Sequence, residues 1–275
     1  MGENRQLEAI DLAEFVNQFW LTKASLLIKR AREIEERRDV LGYPATDSAF
    51  AADDTGLKGI HEATNSESLS GASKMLACSA WFHLHETWTA VPTDTPGQRE
   101  VRLNPLTVFT LLRASLEPLM LGLWLLKPDY SNQRLSRYAG LLIASRDEHH
   151  EAVVAQMKAD SATVMPEKSA SLESALSRAG INPVGKPGSK ELARKASNLP
   201  QLPKLTWTPL VAWQVASSVA HSYPWSMDEA VAGIRDSETN RIIVRLDCKV
   251  FYFVLEATVE LFDALVSRIE ELNSE

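Results

Sequence analysis

The stretch FTLLRASLEPLMLGLWLL, residues 109–126, decides the fold of this chain of 275 residues. It is long enough for roughly five helical turns, and its only charged residues are Arg113 and Glu117, close to Pro118. A run this apolar is a candidate membrane span, but a charge at the bilayer centre costs about 2.5–3.5 kcal/mol on insertion scales. We therefore predict a helix that is buried in protein and does not cross a membrane.

Local signals mark both ends of this helix. Asn104 followed by Pro105 is typical of a helix start, an N-cap residue with proline in the first turn. Lys127-Pro128 predicts its end, because proline disfavours the helical conformation of the residue before it. Apolar periodicity predicts further main helices at about 6–39, 69–90, 132–159, 208–222 and 239–273.

The remaining segments predict mostly irregular structure. Residues 42–68 contain Gly56, Gly59 and many small polar residues, which predict a loop, with one short helix as the alternative. Residues 160–206 predict a loop-rich excursion with two short helices. The sequence has no alternating Val/Ile/Thr run and no Asn-Gly turn that would indicate a β-hairpin.

Together these elements predict an all-α fold, a multi-helix bundle of about six main helices. The helix at 239–273 is apolar on nearly all sides, which is typical of the middle of a bundle. We predict a single helical domain over residues 1–275. Its amphipathic N-terminal helix, 6–39, is expected either to extend from the bundle or to swap onto it.

Charge and cysteine content narrow the class of protein. The formal net charge of −7 argues against a dedicated nucleic-acid-binding protein, because phosphate binding needs a basic face, although a local basic patch is compatible with it. Cys78 and Cys248 lie in apolar segments and are too few for a disulfide framework. The N-terminal sequence MGENRQLEAIDLAEF lacks the apolar core of a secretory signal. We expect a cytoplasmic location.

The first candidate site is the pair Arg113 and Glu117. Their i, i+4 spacing places both on one helix face, where they can pair, and their apolar surroundings predict partial desolvation. A structural ion pair that fixes helix register is one interpretation. The other is a functional pair that lines a cleft, where perturbed ionisable groups concentrate.

The second candidate lies in VAWQVASSVAHSYPW, residues 211–225. Trp213, Ser217 and His221 follow at i, i+4 and i+8, so they fall close to one helix face. Ser217 is expected to orient the imidazole of His221, and the helix C-terminus to favour its protonated form. The alternative is a capping or core histidine without a site role.

Further residues suggest ligand or metal chemistry. Arg134 and Arg137 are candidates for binding an anionic ligand, together with Trp213, and a plain surface is the alternative for the two arginines. His83, His85 and the charged run at 146–151 raise the possibility of a metal site. Neither the repeated Glu-x-x-His of carboxylate-bundle proteins nor an HExxH or CxxC motif occurs, so we predict no metal and no cofactor.

Three of these features resemble a group of helical proteins common in actinobacteria and loosely similar to HEPN-like helical bundles. They are the Arg-x3-Glu helix that ends in WLLKP, the Arg134-x2-Arg137 that opens the next helix, and the Ser-x3-His before Trp225. The resemblance covers about residues 105–160 and 205–230.

The resemblance implies a link to RNA. HEPN ribonucleases use an Arg-x4–6-His motif on one helix, whose arginine and histidine together handle the scissile phosphate. Before His221 the corresponding positions are Gln214, Val215 and Ala216, so the arginine would have to come from another helix, where Arg113 is the candidate. A non-catalytic HEPN-like binding or scaffolding role is the alternative.

Three functions follow as alternatives. The first is a HEPN-like protein that binds or acts on nucleotide or RNA, in a stress or defence context, through a polar cleft shared by the Arg113 and His221 helices. The second is a non-enzymatic helical module that self-associates and whose polar pairs are purely structural. The third is a small-ligand sensor or enzyme with a cavity lined by Trp124, Trp213 and Trp225.

Overall fold

A computed structural model describes residues 3–39, 42–89, 104–157, 165–235 and 242–274. Over these residues the fold is all-α, as predicted, with one short β-hairpin. The helices are α1 (Glu3–Asp39), α2 (Ala49–Thr64), α3 (Leu69–Thr89), α4 (Pro105–Leu126), α5 (Ser131–Met157), α6 (Met165–Arg178), α7 (Ser189–Ala196), α8 (Pro209–Ala220), α9 (Pro224–Ala230) and α10 (Cys248–Ser274). The strands are β1 (Val231–Arg235) and β2 (Ile242–Leu246).

The local start signal of α4 is confirmed. The Asn104 side chain accepts a hydrogen bond from the Leu106 amide at 3.0 Å, and α4 begins at Pro105. Thr208 caps α8 in the same way, with Pro209 in its first turn. Both caps satisfy amides that would otherwise lack a helical partner.

The segment 42–68 is more ordered than predicted, because α2 fills most of it. Ser48 caps the start of α2, and its apolar residues Phe50, Leu57 and Ile60 are buried on one face. A Cβ on Gly56 would lie 3.2 Å from a methyl group of Leu135, so this glycine permits close packing. Tertiary burial thus outweighs the low helix propensity of two glycines.

The prediction of the last helix was wrong at its start. The predicted first residue, position 239, lies outside the described residues, and α10 begins only at Cys248. Before it, β1 and β2 pair antiparallel, with Val231 opposite Leu246 and Arg235 opposite Ile242. The hairpin was missed because its apolar residues do not alternate strictly and no two-residue turn motif joins the strands.

Helix α4 is also the element that was tested as a membrane span. Within the described ranges it is the one helix that is long and apolar enough to span a membrane by length and composition, and 50% of its most apolar window is buried in the protein. That the chain crosses no membrane stays a prediction.

The chain divides into two compact units, and the predicted single domain stays a prediction. The first unit covers residues 1–40, 77–120 and 189–266. Helix α10 supplies its most deeply buried residues, on more than one face. Fully buried there are Val254, Leu255, Ala257, Val259, Leu261 and Phe262.

Helix α1 is joined to α10 within this first unit by a group of ion pairs. Arg30 contacts both Glu260 and Asp263, and Arg37 Nη1 lies 2.6 Å from the second oxygen of Asp263. The two arginines hold the pKa of Asp263 below its usual value, although burial opposes them. The charged end of α1 is therefore fixed to the core and is not only a solvated surface.

The second unit covers residues 41–76, 121–188 and 267–275. The extended segment 181–188 lies against α5, where the Val184 amide donates to the Ser136 carbonyl at 2.8 Å. A Cβ on Gly140 would lie 1.8 Å from the Val184 carbonyl oxygen. Only glycine fits at this crossing, because any larger residue would push the segment away.

Candidate functional site

Arg113 and Glu117 lie one turn apart on α4 and face each other. Arg113 Nε donates to Glu117 Oε1 at 3.1 Å. The two side chains are 29% and 34% exposed, so the pair is partly desolvated but still open to water.

His221 meets this pair from the end of α8. Its Nε2 lies 2.9 Å from Arg113 Nη1, between residues 108 positions apart in the chain. A guanidinium only donates hydrogen bonds, so Nε2 accepts and the imidazole is neutral, with its proton on Nδ1. The expectation that the helix C-terminus favours the protonated form of His221 stays a prediction.

Trp213 completes the cluster through Glu117. Its indole Nε1 donates to Glu117 Oε1 at 3.2 Å, the same oxygen that accepts from Arg113. One carboxylate therefore holds a guanidinium from α4 and an indole from α8. In this geometry Trp213 supports Arg113 through Glu117, and its predicted ligand-binding role stays a prediction.

Ser217 takes a different place from the one expected. It contacts His221 through the backbone, where the His221 amide donates to the Ser217 carbonyl at 3.1 Å. Among the described contacts, the imidazole is oriented by Arg113 and not by the Ser217 hydroxyl.

The turn after α8 places an aromatic residue beside His221, and a second aromatic residue follows in the first turn of α9. Tyr223 is 54% exposed, and its ring centroid lies 6.1 Å from that of His221 at an interplanar angle of 56°. Trp225 is 49% exposed. Sequence reasoning named Trp225 but missed Tyr223, although its position two residues after a helix-ending histidine was the available signal.

Arg134 belongs to the second unit and is buried there. Its Nε donates to Asp53 at 2.6 Å, and the two side chains are 3% and 0% exposed. Its Nη1 donates to the carbonyls of Pro128 and Asp129 at 3.0 and 2.7 Å. All of these partners are internal to the protein.

Arg137 also lies in the second unit and binds the end of α4. It donates to the Trp124 carbonyl, and its guanidinium lies 5.3 Å from the Trp124 ring centroid. Burial lowers its pKa from the ordinary value. With Arg268, which donates to the Leu126 carbonyl at 3.1 Å, these arginines bind carbonyls that a helix end leaves without helical partners. The ligand-binding role of Arg134 and Arg137 stays a prediction, and the contacts observed are structural.

His83, His85 and the charged run at 146–151 were considered as metal ligands in the sequence. Within the described ranges, no three His, Cys, Asp or Glu side chains come together as metal ligands. In the run at 146–151, Arg146 contacts Asp147 and Glu173, and Glu148 contacts Lys186. This run therefore forms ion pairs at the surface.

Comparison with models of known protein families, with curated proteins and with solved structures gave no match. The HEPN-like resemblance therefore stays a prediction. The candidate functional site is the cluster formed by Arg113, Glu117, Trp213 and His221.

Proposed function

We propose that this cluster, the Arg113 site, binds a phosphate group of a nucleotide or of RNA. The contact between Arg113 Nη1 and His221 Nε2 carries the proposal, since it brings a guanidinium and a neutral imidazole together at an accessible surface. These are the two groups that the resemblance to HEPN-like proteins implies, here supplied by two helices.

The contacts of Arg113 hold its guanidinium in place and leave some of its N–H groups free to bind phosphate. Among the residues that the structure describes, two of its five N–H groups have partners, and the remaining ones can donate to phosphate oxygens. Glu117 fixes the Nε edge, and Trp213 fixes Glu117. Little rotamer freedom is therefore lost when an anion binds.

His221 can add chemistry to binding. When Arg113 Nη1 turns from His221 to a phosphate oxygen, the lone pair of Nε2 is released and can take the proton of an RNA 2′-hydroxyl, while that oxygen bonds to phosphorus and the bond to the 5′-oxygen breaks. The departing oxygen would take its proton from water. Arg113 would stabilise the charge that develops on the phosphate oxygens.

Binding and cleavage of a labelled single-stranded RNA test the proposal. We expect Arg113→Gln to lower affinity and abolish any cleavage, and His221→Ala to abolish cleavage with a smaller effect on affinity. Arg194→Gln is the matched control, since Arg194 pairs with Glu191 three residues away on an exposed face. A wild-type protein that neither binds nor cleaves RNA and does not bind a nucleotide would show that the proposal is wrong.

A second candidate, the self-associating helical module, is favoured by the outer face of α1. Ala24 and Ala31 are fully buried on the inner face, whereas Phe19 and Leu26, seven residues apart, are 47% and 66% exposed. Two apolar residues on one exposed helical face indicate a binding surface for another protein.

Sedimentation tests this alternative. If the module self-associates through α1, wild type sediments as a dimer and Leu26→Asp as a folded monomer. Deletion of the whole helix is a poorer test, because α1 is ion-paired to α10 and its loss would disturb the core. A wild-type monomer at all concentrations contradicts the alternative.

A further inference from the structure

The turn that follows α8 presents Tyr223 beside the Arg113 site. Tyr223 is 54% exposed as a residue, and the ring neighbour described for it is His221. The two rings are tilted by 56° and are not stacked. A face of the tyrosine ring is therefore available to a flat partner.

The backbone holds Tyr223 in this position through the C-terminal cap of α8. Ser222 has a φ of +56°, a left-handed conformation that residues other than glycine and asparagine seldom adopt. The Ser222 amide donates to the Val219 carbonyl and the Tyr223 amide to the Ser218 carbonyl, both at 2.9 Å. These two bonds around a left-handed residue form the Schellman motif, a common helix end that here fixes the backbone of Tyr223.

The charges of the Arg113 site explain why an aromatic partner matters. Arg113 and Glu117 cancel each other, and the imidazole of His221 is neutral in this contact. The whole chain carries a net charge of −7. General electrostatic attraction of a polyanion is therefore weak, and much of the affinity has to come from a contact that does not depend on charge.

We propose that Tyr223 stacks on an unpaired base whose phosphate is bound by Arg113, so that the ligand is single-stranded and not duplex RNA. This inference rests on the proposed function of the Arg113 site. His221 contacts both residues, which places a phosphate-binding group and a base-stacking group on either side of one imidazole. Bases in a duplex are already stacked and cannot reach the tyrosine face.

Fluorescence anisotropy with three RNA probes tests the inference. The probes are a short labelled single strand, the same strand annealed to its complement, and a strand of equal length without bases. Stacking on an aromatic residue typically accounts for about 5- to 150-fold in affinity. We expect the duplex and the baseless strand to bind more weakly than the single strand by a factor in this range.

Substitutions of Tyr223 show whether the difference in affinity between the probes comes from this residue. Tyr223→Leu should weaken binding of the single strand by about the same factor, and Tyr223→Phe should retain it, since the ring remains. Tyr130→Leu is the matched control, because Tyr130 is also exposed, at 71%. Affinity should also depend only weakly on salt. A single phosphate contact predicts a slope of about −0.7 when the logarithm of the binding constant is plotted against the logarithm of the salt concentration.

The outcomes separate the two proposals. If Arg113→Gln abolishes binding and Tyr223→Leu does not, phosphate binding stands and the stacking inference is overturned. Equal affinity for single strand, duplex and baseless strand also overturns it, and this result needs only the wild-type protein. If no RNA probe binds, the inference is overturned, and the proposed function fails as well if a nucleotide does not bind either.

Discussion

Two arginine–carboxylate pairs in this chain join the same chemical groups and differ in burial. Arg134 and Asp53 are almost completely buried, with further bonds from the arginine to backbone carbonyls. Arg113 and Glu117 are about one-third exposed, and the arginine contacts a histidine. The first pair stabilises the fold of the second unit, and the second is accessible to a ligand. Burial and the identity of the third partner distinguish the two roles.

The largest effect that tests this comparison is expected from Asp53→Ala. It leaves the Arg134 guanidinium buried without its carboxylate, which costs about 3–5 kcal/mol. In Glu117→Ala, Arg113 loses its carboxylate but is still in contact with water. We therefore expect the free energy of unfolding to fall by at most about 1 kcal/mol. Urea denaturation of both variants measures the difference in the free energy of unfolding, and equal losses would remove the distinction between the two pairs.

A second, smaller effect tests how rigidly the second unit packs around Arg134. Gly140→Ala adds a methyl group where the Val184 carbonyl already lies, so we expect a loss of about 1–3 kcal/mol. Gly185→Ala is the matched control, because a Cβ there would meet no atom within 4 Å. Thermal unfolding monitored by circular dichroism compares them. A Gly140→Ala variant as stable as wild type would show that the segment 181–188 shifts at little cost.

The smallest effect concerns pH and a histidine of the second unit. Burial lowers the pKa of His61, partly opposed by Asp54 and Glu67, and its buried Nε2 has no hydrogen-bond partner. The unfolded chain, with a histidine pKa of about 6.5, therefore binds this proton more readily than the folded protein. The contribution of neutral His61 to the free energy of unfolding is fully present above about pH 6.5. It is lost as the pH falls below this value.

Denaturation curves at several pH values measure this contribution. We expect His61→Gln to flatten the dependence of the free energy of unfolding on pH between about 7 and 5. His149→Gln, at an exposed position, should leave it unchanged. Parallel profiles for wild type and His61→Gln would assign the pH dependence to other groups.

A feature could be predicted from the sequence when the residues that determine it lie close together in the chain. The start of α4 at Asn104-Pro105 and the Arg113–Glu117 pair rest on residues within one turn, and both were predicted. The place of Arg134 depends on Asp53, 81 positions away, and no local pattern indicates that burial.

The same reasoning explains the elements that were missed. Helix α2 contains two glycines, which lower its local propensity, and only the burial of residues such as Phe50 and Leu57 stabilises it. The hairpin before α10 depends on pairing between β1 and β2, which a periodicity search does not detect. The meeting of Arg113 and His221 was proposed from their polar character in apolar helices, and Tyr223 was overlooked although it follows the histidine closely in the chain.

The separation of Arg113 and His221 by 108 residues has a consequence for synthesis of the protein. A nascent chain contains the arginine and its glutamate long before the histidine and Trp213 are translated. The cluster therefore cannot form until α8 has left the ribosome, and truncated products that end before it lack half of the site. A chain built in this way carries no assembled Arg113 site during most of its translation, near the RNA of the ribosome itself.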